Sequence, residues 1–507
     1  MSRRRVPNAL FLLLGLSAGL RFALAFSGGQ RFCPDEDRYL RSFVLFAHLE
    51  RGEWGPAIDY LLDHPDHTGF IVVGVVPAAI QRLLITSRGS AINRGAVDAT
   101  GCLPAMLLSL ASVASIALVY AIARRACSDD EEAVSAALLM ACANSMFYYS
   151  RHLLPYDAAL VQALFALYFG LDERGGAARS LAVGLLAGLA FLTYNGYWII
   201  TAIALGVHVL WRPRPFAAAV RRGAIAGLGL AALPLALEVV SALRNGSSYL
   251  VAMERFSRAA ATQADFGEGW SLPWAYLWHA EHGLSILLLL GCALALRAAA
   301  RERGTLARRA ILGVGGALVV YGLIVLFSTG LGRIGAWGRQ VRQMLPFLCI
   351  ATACGVTHLL RAAPRGQRAM RVAAVGLLAQ AAANFYTPLS LHFPRDVAGD
   401  VVAEYGEVSR DTTILGASNR DIILKGRPRY VLVNAGYLHP IGGTRPAPEG
   451  RTLLRFEHPL TFLPYQYEGF LPGERSILRT SDISIRLIDR KPQRKTGTAE
   501  ILRGPRV

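Results

Sequence analysis

Charge is scarce in this chain. Only 17% of its 507 residues are Asp, Glu, Lys or Arg, while 53% are hydrophobic. That balance excludes an ordinary soluble domain over most of the length. Cysteine is thinly spread as well. Cys33, Cys102, Cys127, Cys142, Cys292, Cys349 and Cys354 show no CxxC spacing, and most sit within apolar runs. Neither a zinc framework nor a disulfide scaffold fits that pattern, and single cysteines in helices act as small packing residues. No internal repeat or low-complexity segment is present. The first apolar run, "NALFLLLGLSAGLRFALAF", follows Arg3, Arg4 and Arg5 but lacks a clear small-residue cleavage site, and Arg21 interrupts it. These features predict a retained helix rather than a signal peptide.

Acids are fewer than bases, 35 against 53, which gives a net charge of +18. A basic balance can signal nucleic acid. Here the arginines cluster in short loops between apolar runs, as the positive-inside rule requires, and no nucleic-acid partner is expected. Runs of about 20 apolar residues are long enough to cross a bilayer. The candidate spans are 8–26, 102–123, 133–149, 155–171, 180–194, 197–211, 223–241, 281–299, 310–330, 343–361 and 371–388. With the N-terminus cytoplasmic, the arginine-rich loops 211–222, 297–309 and 361–371 share one side. A further run, 68–85, would reverse that agreement if it spanned. It is short, holds Pro77 and is closely followed by Arg82 and Arg88, so it reads as an interfacial or re-entrant helix. After residue 390, short β-branched runs at 412–415, 421–424, 430–434 and 484–489 alternate with turn residues, and 396–408 reads as a helix. The expected organisation is a polytopic α-helical membrane part, residues 1–390, with a first outer loop at 27–101. A small soluble α/β domain on the outer face, 391–507, follows it.

Three polar stretches then open on the outer side. They are "PDEDRY" (34–39), "LLDHPDHTGF" (61–70) and "SRHLLPYD" (150–157). Acids at a loop end can simply solvate it. Ionisable groups facing a membrane are functional by default, which favours Asp35 with Asp157 over Asp37 alone. Carboxylates there can act as general bases or bind cations. The acids and histidines at one mouth permit a divalent cation, but no ligand spacing compels one. Arginine also occurs where the insertion rule disfavours it. The expected outer loop 330–343 carries Arg333, Arg339 and Arg342 with no acid between them. A planar guanidinium matches phosphate oxygens, although basic residues at helix ends also contact lipid headgroups.

A "PDE.RY" opening after the first helix resembles the GT-C membrane glycosyltransferases when an "HP" segment and then "SR…D" at a later helix start follow it. In pattern it is similar to the aminoarabinose lipid A transferases and the protein O-mannosyltransferases. The resemblance covers about residues 1–390 and is strongest at 30–70 and 100–170. It implies a GT-C fold of about eleven transmembrane helices plus interfacial helices. It implies a sugar transferase of the cell envelope, with a polyprenyl-phosphate sugar as donor and a lipid, glycan or protein as acceptor. Membrane lipids surround it, and a bacterial plasma membrane is the implied location. Carried over, Asp35 is the base, with Glu36 and Asp157 as its companion acids. Arg38, Tyr39, His64, His67 and Arg151 fall on the same motifs as substrate-binding positions. The "HPDHTG" segment departs from the family's "HPP" or lysine–proline pair, which leaves the roles of His64 and His67 open. In the expected outer loop 242–280, Arg255-Phe256 ahead of Trp274 and Tyr276 matches the family's arginine–phenylalanine pair, and Arg255, Arg333, Arg339 and Arg342 complete the substrate-binding set. No metal ligand set is expected. A transporter of lipid-linked or small anionic substrates is the alternative, with the same carboxylates as a proton relay. Against it, the spans carry no inverted-repeat signal.

Overall fold

The computed structural model describes residues 7–28, 30, 36–87, 89, 97 and 100–362, apart from 128, 173–175, 212–214, 263–269, 303 and 335–336. Beyond 362 it describes parts of 372–383 and the segments 412–415, 430–433, 449–457 and 484–489. Asp35, the proposed helix 396–408, the run 421–424 and most of span 371–388 lie outside the described residues.

Among the described residues, six helices are long and apolar enough to cross a bilayer. They are Asn8–Phe26, Cys102–Ala126, Phe216–Asn245, Gly283–Arg301, Leu306–Gly330 and Gly338–Ala362. A chain with six such helices is an integral membrane protein. Shorter apolar helices, Tyr156–Gly170, Ala177–Thr193 and Asn195–Leu210, pack among them. Helix 177–193 runs against 216–245 through small residues, and a Cβ on Gly184 would collide with the Ala226 carbonyl. Such contacts let backbones approach where lipid offers no hydrophobic drive to association. Arg21, inside the first helix, is fully buried. Its Nε donates to Ser112 Oγ at 3.0 Å, its Nη1 donates to the Ser17 carbonyl at 3.1 Å, and its guanidinium lies 4.7 Å from the Phe147 ring centre.

Three boundaries differ from the sequence expectation. The run 133–149 is not one helix. It divides into Asp130–Ala141 and Asn144–Ser150. The cause lies far along the chain, because the Glu281 side chain accepts from the backbone N–H groups of Asn144 and Ser145. The expected loop 242–280 holds two helices, Tyr249–Thr262 and Leu272–Glu281, after Gly246 at φ 61° ends the preceding one. A left-handed glycine just past a helix terminates it without strain. The expected loop 330–343 turns helical at Gly338, where Gln340 Oε1 accepts from the Trp337 N–H at 3.2 Å. Arg339 and Arg342 therefore stand on the first turns of a helix that runs to Ala362.

The run 68–85 forms Thr68–Val73 and Val75–Ser87, divided at Gly74. At 1.5 Å per residue, neither helix alone reaches across a hydrocarbon core of about 30 Å. Gly74 lies against Ser42 of helix Asp37–Glu50, where a Cβ would collide with the serine. Near the C-terminus, strands β1 (Thr412–Leu415), β2 (Tyr430–Val433), β3 (Arg451–Glu457) and β4 (Ser484–Asp489) form one sheet in the order β1-β2-β4-β3. β1 and β2 are parallel, and the other pairs are antiparallel. β3 overlaps a stretch without the β-branched signal that marks the other three.

Candidate active site

The starts of helices 156–170, 195–210 and 338–362 come together with the segments 36–50 and 64–73 at one end of the helical part. Asp157, in the first turn of its helix, pairs with Arg342 Nη2, and both residues are buried. Arg342 also lies 4.4 Å from the Tyr149 ring centre, with Met146 Sδ 3.2 Å and Tyr197 Oη 3.5 Å from its nitrogens. Among the described residues, its Nε has no hydrogen-bond partner. A buried ion pair of this kind is retained only when each charge answers the other. Arg339, one turn earlier, is half-buried and stacks over Tyr156 at 5.7 Å and Trp337 at 4.9 Å. Stacking against aromatic faces fixes a guanidinium plane.

Glu36 is fully buried. Its Oε1 accepts from the Leu153 N–H at 2.7 Å, and its Oε2 lies 3.2 Å from His152 Nδ1. The segment that leads into the Asp157 helix is thus clamped to the residue after Asp35. Arg151 performs a second clamp. Its Nε donates to the Gly28 carbonyl at 2.8 Å and its Nη2 to Ser27 Oγ at 3.0 Å, just past the end of the first spanning helix. Tyr39 is buried among Ala25, Phe43, Phe70, Ala78 and Leu153, and its hydroxyl donates to Gln81 Oε1 at 2.9 Å. Burial pushes that hydroxyl's pKa up.

His67 sits at the head of helix 68–73 and is buried. Its Nε2 meets Arg38 Nη1 at 3.2 Å, a contact that makes Nε2 the acceptor and puts the ring proton on Nδ1. Burial, then the charges of Arg38, Arg41 and Arg339, hold its pKa well below the usual histidine value. Asp66 balances part of this charge, with Arg41 Nη1 at 2.6 Å and Arg38 Nε at 3.7 Å. His64 is turned back toward the preceding helix Trp54–Leu62, with Nδ1 2.8 Å from the Tyr60 carbonyl oxygen. Arg255 and Arg333 are exposed. Phe256, beside Arg255, meets the His67 ring edge-on at 6.0 Å.

Sequence reasoning did not single out the tyrosines that join these groups. Ring contacts run from Phe256 to His67, then to Tyr194 (5.3 Å), Tyr156 (4.7 Å), Tyr149 (5.2 Å), Tyr148 (4.9 Å) and His152 (4.9 Å), which rests on Glu36. Tyr197 joins at Tyr194, 5.2 Å away. The signal was present in "MFYYSRHLLPYD" and "TYNGYW", where aromatic residues crowd the helix starts. The result is a buried row of tyrosines with the Arg339 and Arg342 guanidinium groups stacked on it and Glu36 at one end. Chemically it can receive an anionic oxygen at the cations. Among the described residues, no group of three or more His, Cys, Asp or Glu side chains is placed to hold a metal.

No family model and no curated protein matches the chain. Solved structures do. The archaeal oligosaccharyltransferase AglB from Archaeoglobus fulgidus, in complex with an inhibitory peptide and a dolichol-phosphate, is similar over 75% of this chain and 55% of its own, at 13% identity and a TM-score of 0.45. ArnT from Cupriavidus metallidurans, bound to undecaprenyl phosphate, is similar over 73% of this chain and 64% of its own, at 16% identity and a TM-score of 0.47. The chain therefore spans between about half and two thirds of the length of these structures.

Proposed function

We propose that this chain is a membrane glycosyltransferase of the GT-C type. It transfers a sugar from a polyprenyl-phosphate donor to a lipid, glycan or protein acceptor at the outer face of the membrane. The observation that carries the reading is the stacked Arg339 beside the Asp157–Arg342 pair, with Glu36, the neighbour of Asp35, tied to the same helix start. The acceptor hydroxyl or amine is a weak nucleophile until it loses its proton, and the Asp35 carboxylate takes that proton. The acceptor atom then bonds to the anomeric carbon as the bond from that carbon to the phosphate oxygen breaks. The electron pair stays on the departing polyprenyl phosphate, where fixed cations meet the charge as it develops. Arg339 supplies the reachable guanidinium. Arg342, held by Asp157, supplies a field from beneath. Asp157 on this reading orients Arg342 rather than abstracting a proton. His67 stays neutral and offers its Nδ1 proton to the same anionic oxygens. Residues 391–507 present the acceptor.

Asp35→Asn preserves volume and removes basicity. In a reconstituted transfer assay with the full-length chain, turnover should fall at least ~10²-fold, the low end for lost general-base catalysis. Near-normal turnover by a well-folded variant would defeat the assignment.

A further inference from the structure

Glu281 is a carboxylate that the reaction above does not use. It is completely buried at the end of helix Leu272–Glu281. Its Oε2 accepts from the Asn144 N–H at 2.6 Å, and its Oε1 accepts from the Ser145 N–H at 3.1 Å and from Ser145 Oγ at 2.6 Å. The Asn144 side chain answers by donating from Nδ2 to the Ala280 carbonyl at 2.7 Å. Asn144 and Ser145 are themselves buried. Removing a charge from water is costly, and a carboxylate received by three short donors offsets that cost through charge-assisted bonds.

The backbone records the same constraint independently. His282, the residue after Glu281, has φ 49° and ψ −127°. It is the sole non-glycine residue at positive φ among the described residues. Such a conformation persists only where the surroundings over-determine it. Here it forms the tight junction between helix 272–281 and the spanning helix 283–301, and so keeps Glu281 turned inward.

What Glu281 holds is the helix Asn144–Ser150. That helix carries Met146, whose Sδ is 3.2 Å from Arg342 Nη2, and Tyr149, whose ring lies beneath the Arg342 guanidinium at 4.4 Å. Its far end leads to Leu153, where Glu36 attaches. Segment 144–153 is therefore pinned by a buried carboxylate at each end, each from a distant part of the chain. We propose that Glu281 is a positioning residue: it fixes the place of Tyr149 and Met146, and through them the buried Arg342 guanidinium whose field acts on the donor phosphate. This rests on the glycosyltransferase reading for its substrate, but not for its geometry.

The test uses the full-length chain in detergent or nanodiscs with undecaprenyl phosphate as the probe. Affinity, transfer turnover and melting temperature are measured for wild type, Glu281→Gln, Arg342→Lys and the double variant. The glutamine keeps the shape but turns an amide N–H₂ toward backbone donors. Glu281→Gln should weaken undecaprenyl phosphate binding roughly tenfold, the scale on which second-layer orienting partners act elsewhere. The double variant should bind no more weakly than Arg342→Lys alone, because groups acting through one another are non-additive. A purely structural role would give additive losses, and that result would overturn the inference, as would wild-type affinity in Glu281→Gln. Should Glu281→Gln fail to fold, Ser145→Ala removes one of the three donors and carries the test. A smaller loss of binding, absent when combined with Arg342→Lys, supports the inference, and no loss overturns it. Wild-type binding without any transfer would strike the proposed reaction alone. Failure of the wild type to bind the probe would overturn both.

Discussion

The two ends of the helical part bury arginine to different degrees. At the end away from the site, cations meet carboxylates near the surface. Arg361 bridges Asp129 and Glu131, Arg124 meets Asp130 at 2.6 Å, and Arg125 and Arg179 share Asp172. Arg309 closes the set on Glu132. Most of these pairs are partly exposed, and they staple the starts and ends of neighbouring helices. At the tyrosine end, guanidinium groups are stacked on rings, and Arg342 is fully buried. The same residue type serves retention on one side and, on our reading, anion binding on the other. The difference is one of burial: most pairs at one end are partly exposed, while at the other Arg342 is enclosed with Asp157 and Arg339 stacks on Tyr156 and Trp337.

The largest test of this contrast is Asp157→Asn. It leaves Arg342 buried without a counter-charge. Breaking a buried pair from one side typically costs about 3–5 kcal/mol, because the remaining charge is uncompensated. Thermal denaturation in detergent should show a marked loss of stability, and transfer should fall with it. A variant that melts like wild type would mean that Arg342 finds its compensation elsewhere.

Arg339→Lys comes next. Lysine keeps the charge but loses the planar fork and the stacking on Tyr156 and Trp337. The donor Michaelis constant should rise by about tenfold, the equivalent of one charge-assisted hydrogen bond. Melting temperature should barely move, because Arg339 is half-buried rather than enclosed. An unchanged constant would place the phosphate elsewhere.

His67 gives a test by pH. Its folded pKa is depressed by burial and by Arg38, Arg41 and Arg339. Above the unfolded value of about 6.5, both states are neutral and the group costs nothing. As pH falls below that value the unfolded chain takes up a proton that the folded chain resists, so stability is lost toward acid. His67→Gln removes this uptake, and the slope of melting temperature between about pH 5 and 6.5 should flatten. An unchanged slope would show that His67 is not held neutral.

Six of the eleven expected spans coincide with helices long and apolar enough to cross, because apolar runs report length directly. Runs 8–26 and 102–123, and the core of 216–245, stand out by composition alone. The candidate residues were legible singly but not as partners. Asp157 and Arg342 lie 185 positions apart, and nothing local links them. The break at 142–143 was invisible, because the apolar run continues through it and the group that sets the new helix start is Glu281. Helix 249–262 was read as loop because its mixed "YLVAMERFSRAAAT" lacks a long apolar run, although one face is apolar. Tyr39 belonged to a motif, yet its hydroxyl serves Gln81, a partner that only the folded chain supplies.

The smallest expected effect sharpens the comparison from the opposite side. Glu131 and Arg361 are each about half exposed, and they form an ion pair at 2.8 Å far from the tyrosines. Arg361 also meets Asp129, so it retains a partner when Glu131 is neutralised. Exposed pairs of this kind contribute about 0–1 kcal/mol, because water screens the charges and ordering two long side chains is costly. Glu131→Gln should therefore lower stability by no more than that, and added salt should shrink the difference further. Donor affinity and turnover should match wild type, because no contact joins this pair to Arg339, Arg342 or His67 among the described residues. A variant that folds normally but loses donor affinity would show that the two ends are coupled. The division between retaining arginines and binding arginines would then fail, whatever the outcome at Asp157.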